Sequence, residues 1–324
     1  MADRTSWRDV AVKTGEDFVA ALGPTSKWFR GARPGEWIFR GQLDSDWGLS
    51  PSAFRPNPLL YDPKYSQPFS SWANAQQIYG EIFVLRRFFE KADRVGLRLP
   101  EDSQELRAEF RSLEDARRTY PHQVLLWPPN RLWSVLALAQ HYNVPTRLLD
   151  WTRSSLIAIY FAITGVIQHP GPERIAVWAY NVAAHARRQQ HSKHKEEQVH
   201  IVTAPYADNP NLRAQQGVHL LLTKRDGFNL HSTAERNDLA THLAATRGYG
   251  DEPQLLKFTV RALEARSILR ILAMYDVTAA SLFPGYSGVV AALHEEETWD
   301  TRLKSLAGEL EQLYEWAHKV TTTE

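Results

Sequence analysis

Residues 144–163, VPTRLLDWTRSSLIAIYFAI, contain a densely polar segment between two apolar patterns. TRLLDW is too short for a helix and predicts a strand, whereas the apolar run after Ser155 predicts a helix. Ser154 or Ser155 is suited to cap that helix. A simple connector needs only a glycine, an aspartate or a proline, but this one carries arginines, an aspartate, a tryptophan and several hydroxyl groups. The segment is therefore either a structural polar cluster or part of a functional site.

The patterns on both sides of this stretch predict an α+β fold with helical insertions. The predicted strands are EWIFRG, TRLLDW, RIAVWAYNV, QGVHLLLTK and QLLKFTV. The predicted helices include GEDFVAALG, RLWSVLALAQHY, ARSILRILAMYD and an amphipathic C-terminal segment. We expect an N-terminal helical extension at 1–36, a central domain at 37–294 with a helical insertion at about 71–141, and a C-terminal helix at 295–324.

The composition describes a protein with an ample core and no dominant charge. Of the 324 residues, 43% are hydrophobic and 23% are charged, and 38 Lys and Arg balance 37 Asp and Glu. This balance gives no overall attraction to nucleic acid or anionic membranes. The chain has no cysteine, which excludes disulfides and thiolate nucleophiles. Because no apolar run reaches about 18 residues and the first residues are polar, we expect a cytoplasmic protein without membrane segments.

One segment, HARRQQHSKHKEEQVH at 185–200, is strongly basic and has no apolar periodicity. Such a pattern is typical of a solvated surface loop. A contact to a phosphate backbone is the functional alternative.

Two polar clusters are the candidates for a functional site. The P-loop, Rossmann, GxSxG and HExxH motifs are missing and the histidines lack metal-ligand spacing, so we expect no required metal.

In the first cluster, WIFRGQ (37–42), Arg40 closes an aromatic strand and can bind a carboxylate or phosphate. Asp150 follows two apolar leucines and needs a partner, for which Arg147 or Arg40 is available. Trp151 offers a flat stacking face, so a buried Arg–Asp pair and a pocket for a polar aromatic ligand both remain open.

These clusters carry a family resemblance. In order from residue 37 to about 290, the chain contains IFRGQ, WGLSPSAFR, QHYNVPTRLLDWTRSSLIAIYFA, NLRAQQGVHLL and SLFPGYSG. The series resembles the FRG-domain family, named after the Phe-Arg-Gly sequence found here at 39–41, and implies an FRG domain over 37–294. Asn143 stands where that family commonly has glycine, and asparagine also tolerates left-handed backbone geometry.

A fainter resemblance links the chain to arginine-class ADP-ribosyltransferases, which include bacterial toxins. Those enzymes have an aromatic–Arg–Gly strand, a hydroxyl-bearing strand that enters a helix, and a strand with Glu-x-Glu or Gln-x-Glu. Arg40 matches the arginine of the first element, and DWTRSSLIAIYFA resembles the second element. The third element corresponds to RAQQG, where Gly217 replaces the expected glutamate. The resemblance implies an ADP-ribosyltransferase-like mixed sheet core that uses NAD as a substrate.

The same resemblance implies roles for individual residues. The arginine would hold an NAD phosphate and the hydroxyl strand would brace nicotinamide. For the missing glutamate two alternatives are open: Asp150 supplies the carboxylate, or the fold is retained without the transferase chemistry. The predicted catalytic residues are Arg40, Asp150 and Gln216. The predicted NAD-binding residues are Phe39, Gly41, Gln42, Thr146, Arg147, Trp151, Thr152 and Gln215. We expect one concave pocket to contain Arg40, Gln42, Thr146, Asp150, Trp151 and Gln215.

Three functions are open at this point. The leading one is an NAD-dependent ADP-ribosyltransferase-like toxin or phage-defence effector that modifies a nucleic acid or a protein, with an antitoxin or inhibitor protein as a partner. The alternative is a non-catalytic nucleotide- or nucleic-acid-binding module, because glutamine cannot offset the positive charge of an oxocarbenium-like transition state. A third is a hydrolase that uses Asp150 with His141, although one carboxylate makes a poor metal site.

Overall fold

The computed structural model describes residues 7–60, 72–111, 127–168, 171–191, 197–203, 209–224, 238–240 and 254–299. These residues form a mixed α+β fold around one seven-stranded sheet, which confirms the predicted class. The strands are β1 Arg8–Ala11, β2 Trp37–Gln42, β3 Leu148–Thr152, β4 Arg174–Asn181, β5 Glu197–Val202, β6 Gly217–Lys224 and β7 Leu255–Arg261. Their order across the sheet is β1-β7-β4-β2-β3-β6-β5.

Helices accompany the strands throughout the described ranges. They are α1 Gly15–Ala21, α2 Asn74–Arg94, α3 Gln104–Arg111, α4 Trp133–His141, α5 Ser155–Gln168, α6 Val182–His191, α7 Pro210–Ala214, α8 Ala265–Ala273, α9 Ala279–Leu282 and α10 Tyr286–Trp299. Short 3-10 turns lie at Ser52–Phe54, Asn130–Leu132 and Ala262–Glu264. The part of the predicted C-terminal helix beyond residue 299 lies outside the described residues.

The polar segment quoted first joins α4, β3 and α5 as predicted. Asn143 turns the chain between α4 and β3 with a φ of 61°, the left-handed geometry that asparagine tolerates. After β3, the Ser154 hydroxyl accepts a hydrogen bond from the main-chain nitrogen of Ile157 at 3.4 Å. Ser154 therefore caps α5, and Ser155 is the first residue of that helix.

The described parts of the basic segment form regular structure and not the predicted loop, and residues 192–196 lie outside the described residues. Residues up to 191 continue α6, and residues 197–202 form β5. β5 pairs antiparallel with β6, from Glu197 opposite Lys224 to Val202 opposite His219. Strand formation depends on the neighbouring strand more than on local composition, so pairing with β6 decides the structure here.

The N-terminal segment contains the predicted helix and an additional strand. Thr14 caps α1 by accepting a hydrogen bond from the Asp17 nitrogen at 3.2 Å. Before it, β1 pairs in parallel with β7 at one edge of the sheet. This strand is short and largely exposed, so no alternation of apolar residues identifies it in the sequence. The domain boundaries at residues 36 and 294 stay predictions.

Two helical groups cover one face of the sheet and meet near Asp150. One group, centred on α5, packs on Phe39 of β2. The other, formed by α2 and α4, packs on Leu148 of β3. Phe39 lies opposite Thr152 in register, and side chains alternate along a strand, so Asp150 lies between the two groups on this face. Trp151 points to the opposite face, into a third apolar cluster.

Gly41 explains why α5 can lie so close to β2. A Cβ atom at this position would be 2.0 Å from the main-chain oxygen of Ala158 and 2.8 Å from the nitrogen of Ala162. We expect Gly41→Ala to destabilise the protein by about 3 kcal/mol, near the upper end for overpacking, because α5 must move as a unit. Gly171→Ala is the control, since its Cβ would meet nothing within 4 Å. Equal denaturation midpoints for the two variants would contradict this packing role.

Candidate functional site

The sheet opens where β2 meets β3. These strands share a single register pair, Phe39–Thr152, whereas β2 and β4 share six and β3 and β6 share five. Next to that pair, Arg40 donates from Nη1 to the main-chain oxygen of Asp150 at 2.6 Å. The structure thus brings together the two predicted clusters, which are 110 residues apart in sequence.

Two side chains hold the Asp150 carboxylate. Gln140 donates from Nε2 to Oδ2 at 3.0 Å, and Nδ1 of His219 lies 3.1 Å from Oδ1. Desolvation by the surrounding protein raises the pKa of Asp150, but the hydrogen bond and charge of His219, the charge of Arg40 and the Gln140 hydrogen bond together lower the pKa below its ordinary value. The side chain is nevertheless 57% exposed, so an ionised carboxylate faces the solvent.

Gln140 also connects this carboxylate to the chain that follows β2. Its Oε1 accepts hydrogen bonds from the Thr146 hydroxyl at 2.7 Å and from the Ser52 hydroxyl at 3.4 Å. The main-chain nitrogen of Thr146 donates to the Ser52 hydroxyl at 3.1 Å. Thr146 is only 2% exposed, so its hydroxyl positions Gln140 rather than opening into the cleft.

Arg40 is half-buried and incompletely hydrogen-bonded. Its Nε is buried and has no hydrogen-bond partner among the described residues. Burial lowers the pKa of Arg40 below its usual value, the Asp150 charge raises it, and the charge of Arg55 lowers it. The guanidinium stays protonated in all of these settings. Arg40 is therefore a cation with unused donor capacity beside an exposed carboxylate.

His141 belongs to the electrostatic neighbourhood of Asp150. Burial lowers the pKa of His141 below its ordinary value, the charge of Asp150 raises it, and that of His219 lowers it. The net effect favours the neutral imidazole, which can accept a proton. The charge of Asp150 therefore acts on His141, but no hydrogen bond joins the two side chains among the described contacts, so the hydrolase stays a prediction.

Trp151 and Arg147, both predicted to bind the ligand, make other contacts in the structure. Trp151 is 3% exposed and packs against Tyr180, with the ring centroids 6.1 Å apart. Its ring face is therefore not available for ligand stacking, because strand alternation turns it away from the Asp150 side. Arg147 does not pair with Asp150 but with Glu81, at 2.7 Å between Nε and Oε2. Glu81, a buried carboxylate on α2, thus binds one of the two arginines that the sequence offered as partners of Asp150.

The remaining predicted residues of β2 hold the strand in place. Phe39 is 7% exposed and lies in the core under α5. Gln42 is 3% exposed; it donates to the Gly48 oxygen at 2.9 Å and accepts from the Trp178 indole at 2.6 Å. Together with Gly41, these side chains support the strand that presents Arg40, and they do not line the opening themselves.

The RAQQG motif is a helix end and a turn rather than the predicted strand. Gln215 ends α7 and donates to the Leu282 oxygen at 3.2 Å, while its own carbonyl accepts from the Thr152 hydroxyl at 2.7 Å. Gln216 has a φ of 49°, its side chain is exposed, and β6 begins only at Gly217. A Cβ at Gly217 would be 2.3 Å from Leu212, so packing excludes a glutamate there without rearrangement.

The sequence did not single out Gln140, His219, Ser52 or Arg55. Gln140 ends a helix one residue before His141, and His219 lies inside the apolar strand GVHLLL. A polar residue in such a strand is a detectable signal, because a buried polar group requires a partner. Ser52 and Arg55 lie in a segment predicted as a loop, where no periodicity shows which side chains turn inward.

Neither a metal centre nor a membrane span is found in the described ranges. No group of three or more histidine, aspartate or glutamate side chains there could hold a metal ion. Among the helices described, none has the length and apolar character needed to cross a bilayer.

Comparison with known proteins gives one match. A model of the FRG domain matches residues 35–170. No curated protein and no solved structure matches the chain significantly, so the transferase resemblance stays a prediction. The matched range runs from the start of β2 to the end of α5 and includes Arg40, Gln140 and Asp150. The part of the chain that brings the candidate site together is thus similar to the FRG-domain family.

Proposed function

We propose that this protein is an NAD-dependent, ADP-ribosyltransferase-like enzyme that binds its substrate at the opening between β2 and β3. The observation that carries the proposal is the contact of Arg40 with Asp150 at 2.6 Å. This hydrogen bond is to the main-chain oxygen of Asp150, so it anchors a partly unsatisfied guanidinium on the residue whose side chain is an exposed carboxylate. NAD brings matching chemistry, because it has phosphates for the arginine and a ribose that becomes positively charged during transfer.

Asp150 would act by charge rather than by giving up a proton. In the transfer, the bond between C1′ of the ribose and the nicotinamide nitrogen breaks, and the electron pair leaves with nicotinamide. An acceptor nucleophile then forms the new bond to C1′ and releases its proton to water. A preorganised carboxylate stabilises the positive charge that develops on the ribose. The lowered pKa of Asp150 supports this role, since the group is already ionised at neutral pH.

The acceptor in this proposal is a nucleic acid or a protein, and no metal takes part. The enzyme in this proposal would be a toxin or phage-defence effector, with a neutralising protein as its partner. Gln216 would contact the ribose through its exposed amide, and its position next to the β3 end supports that assignment.

The second candidate is a module that binds a nucleotide or nucleic acid without turnover. It is favoured by Gly217, which stands where the transferase pattern has glutamate and where a Cβ atom would have to displace the end of the Leu212 side chain. A binder needs the cation but no carboxylate at the reacting centre.

Incubation of the protein with labelled NAD and a cell extract tests the proposal. We expect the label to move into the protein or the nucleic-acid fraction, with release of nicotinamide. The Arg40→Gln variant is the negative control, because it keeps polar atoms but lacks the charge. Binding of NAD without nicotinamide release would favour the module, and release without transfer would favour a hydrolase. A protein that neither binds nor consumes NAD contradicts the proposal.

A further inference from the structure

The segment after β2 folds back over the opening and carries a second arginine. Gln42 at the end of β2 donates to the Gly48 oxygen at 2.9 Å, which brings the following chain alongside the strand. The turn at Ser52–Phe54 is then fixed to the entrance of β3, because the Ala53 nitrogen donates to the Thr146 oxygen at 3.0 Å. Arg55 follows this turn directly and is exposed.

Arg55 makes one hydrogen bond among the described contacts and keeps its other donors available. Its Nη2 donates to the Ser50 oxygen at 2.6 Å, and this is the one hydrogen bond of its guanidinium among the described contacts. An arginine has five N–H donors, so a ligand can accept from the others. Arg55 also lies close enough to Arg40 for its charge to lower the pKa of that residue.

Two neighbouring guanidinium groups with unused donors are complementary to a ligand with two anionic groups. Arg40 has a buried Nε without a partner, and an unmet buried donor is costly unless a ligand or water satisfies it. An anion that accepts from the outer guanidinium nitrogens of Arg40 and from Arg55 would relieve the repulsion between the two cations. A phosphoryl group can accept two parallel hydrogen bonds from one arginine, and a diphosphate can offer one phosphoryl group to each of the two arginines.

We propose that Arg55 is a second phosphate-binding residue of this site, so that Arg40 and Arg55 together bind the diphosphate of a dinucleotide. The choice of a dinucleotide as the ligand rests on the proposed function, whereas the contacts assigned to Arg40 and Arg55 involve only the diphosphate. It assigns a role to a residue that lies outside β2 and β3. Asp150 then faces the part of the ligand beyond the diphosphate.

Calorimetric titration with inorganic pyrophosphate and with orthophosphate tests this assignment at constant ionic strength. We expect Arg55→Gln to weaken pyrophosphate binding by about tenfold or more, the loss of one charge-assisted contact, and to change orthophosphate binding only slightly. Arg55→Lys keeps the charge and should recover part of the affinity. Arg270→Gln on α8 is the matched control, because Arg270 is also exposed and lies on another element.

Unchanged pyrophosphate affinity in Arg55→Gln would overturn the assignment, as would a wild-type protein that does not bind pyrophosphate. Binding of a single-stranded oligonucleotide that depends on Arg55 and that pyrophosphate cannot displace would assign the residue to a nucleic-acid backbone instead. The outcome is separable from the proposed function. Loss of pyrophosphate binding in Arg55→Gln without any NAD turnover in the wild type would support the diphosphate site and contradict the enzyme.

Discussion

Glu81→Ala is expected to lower the free energy of unfolding by about 3–5 kcal/mol, because it leaves a buried arginine without its counter-charge. Glu81 Oε2 lies 2.7 Å from Nε of Arg147, and the two side chains are 4% and 11% exposed. The same carboxylate accepts hydrogen bonds from the Trp127 indole at 2.9 Å and from the Gln77 amide at 2.7 Å. One substitution therefore disturbs the link between α2 and the residues that enter β3.

Glu90→Ala is the matched control on the same helix. Glu90 pairs with Arg86 at 2.6 Å, but these side chains are 47% and 24% exposed, and a pair of this kind contributes less than about 1 kcal/mol. Urea denaturation of both variants measures the difference directly. Similar losses for Glu81→Ala and Glu90→Ala would mean that the Arg147 charge finds other partners, and the buried pair would not be a main support of the fold.

This ion pair marks a limit of sequence interpretation. The period of the apolar residues identifies α2, β3 and α5, because each pattern is local. The partner of Arg147 is on a helix 66 residues away, and no local pattern encodes that distance. Asp150 is the nearer carboxylate in sequence, so Arg147 was one of the two partners offered for it, but the structure pairs Arg147 with Glu81 across the fold.

The candidate site was predictable in part. The error of placing Trp151 in the ligand pocket could have been avoided from the sequence alone. The proximity of Arg40 to Asp150 followed from two polar insertions in apolar surroundings. Asp150 and Trp151 were assigned to the same ligand pocket, yet neighbours on a strand point to opposite faces. If TRLLDW is a strand, Asp150 and Trp151 are expected to point to opposite faces, which agrees with the exposure of Asp150 and the burial of Trp151. The opening between β2 and β3 depends on tertiary pairing and was not predictable.

The exposure of Asp150 also changes the expected result of its substitution. A buried aspartate paired with arginine would cost several kcal/mol on removal. In the structure, Arg40 binds the main-chain oxygen of Asp150, which every substitution retains, and the carboxylate is 57% exposed. We therefore expect Asp150→Asn to fold with nearly the thermal midpoint of the wild type. Asp9→Asn on β1 is the control, since Asp9 is also an exposed strand aspartate.

Asp150→Asn should nevertheless reduce NAD turnover by about 10²–10³-fold, the typical effect of losing one preorganised electrostatic contact. Substrate binding should change little, because the diphosphate is assigned to arginine rather than to the carboxylate. Arg40→Ala should show the opposite pattern, with NAD affinity lowered by about ten- to a hundredfold through loss of a charge-assisted contact. Titration calorimetry with NAD and nicotinamide release under saturating NAD separate the two effects.

The combination of results decides the role of each residue. A stable Asp150→Asn protein that binds NAD and does not release nicotinamide identifies the carboxylate missing from RAQQG. A stable and fully active Asp150→Asn protein would reduce Asp150 to a structural brace for His219 and Gln140, and the transferase would lose its only carboxylate among the described residues around Arg40. An Arg40→Ala protein that binds NAD as well as the wild type would contradict the assignment of Arg40 to an NAD phosphate, because that assignment requires Arg40 to contribute to NAD affinity.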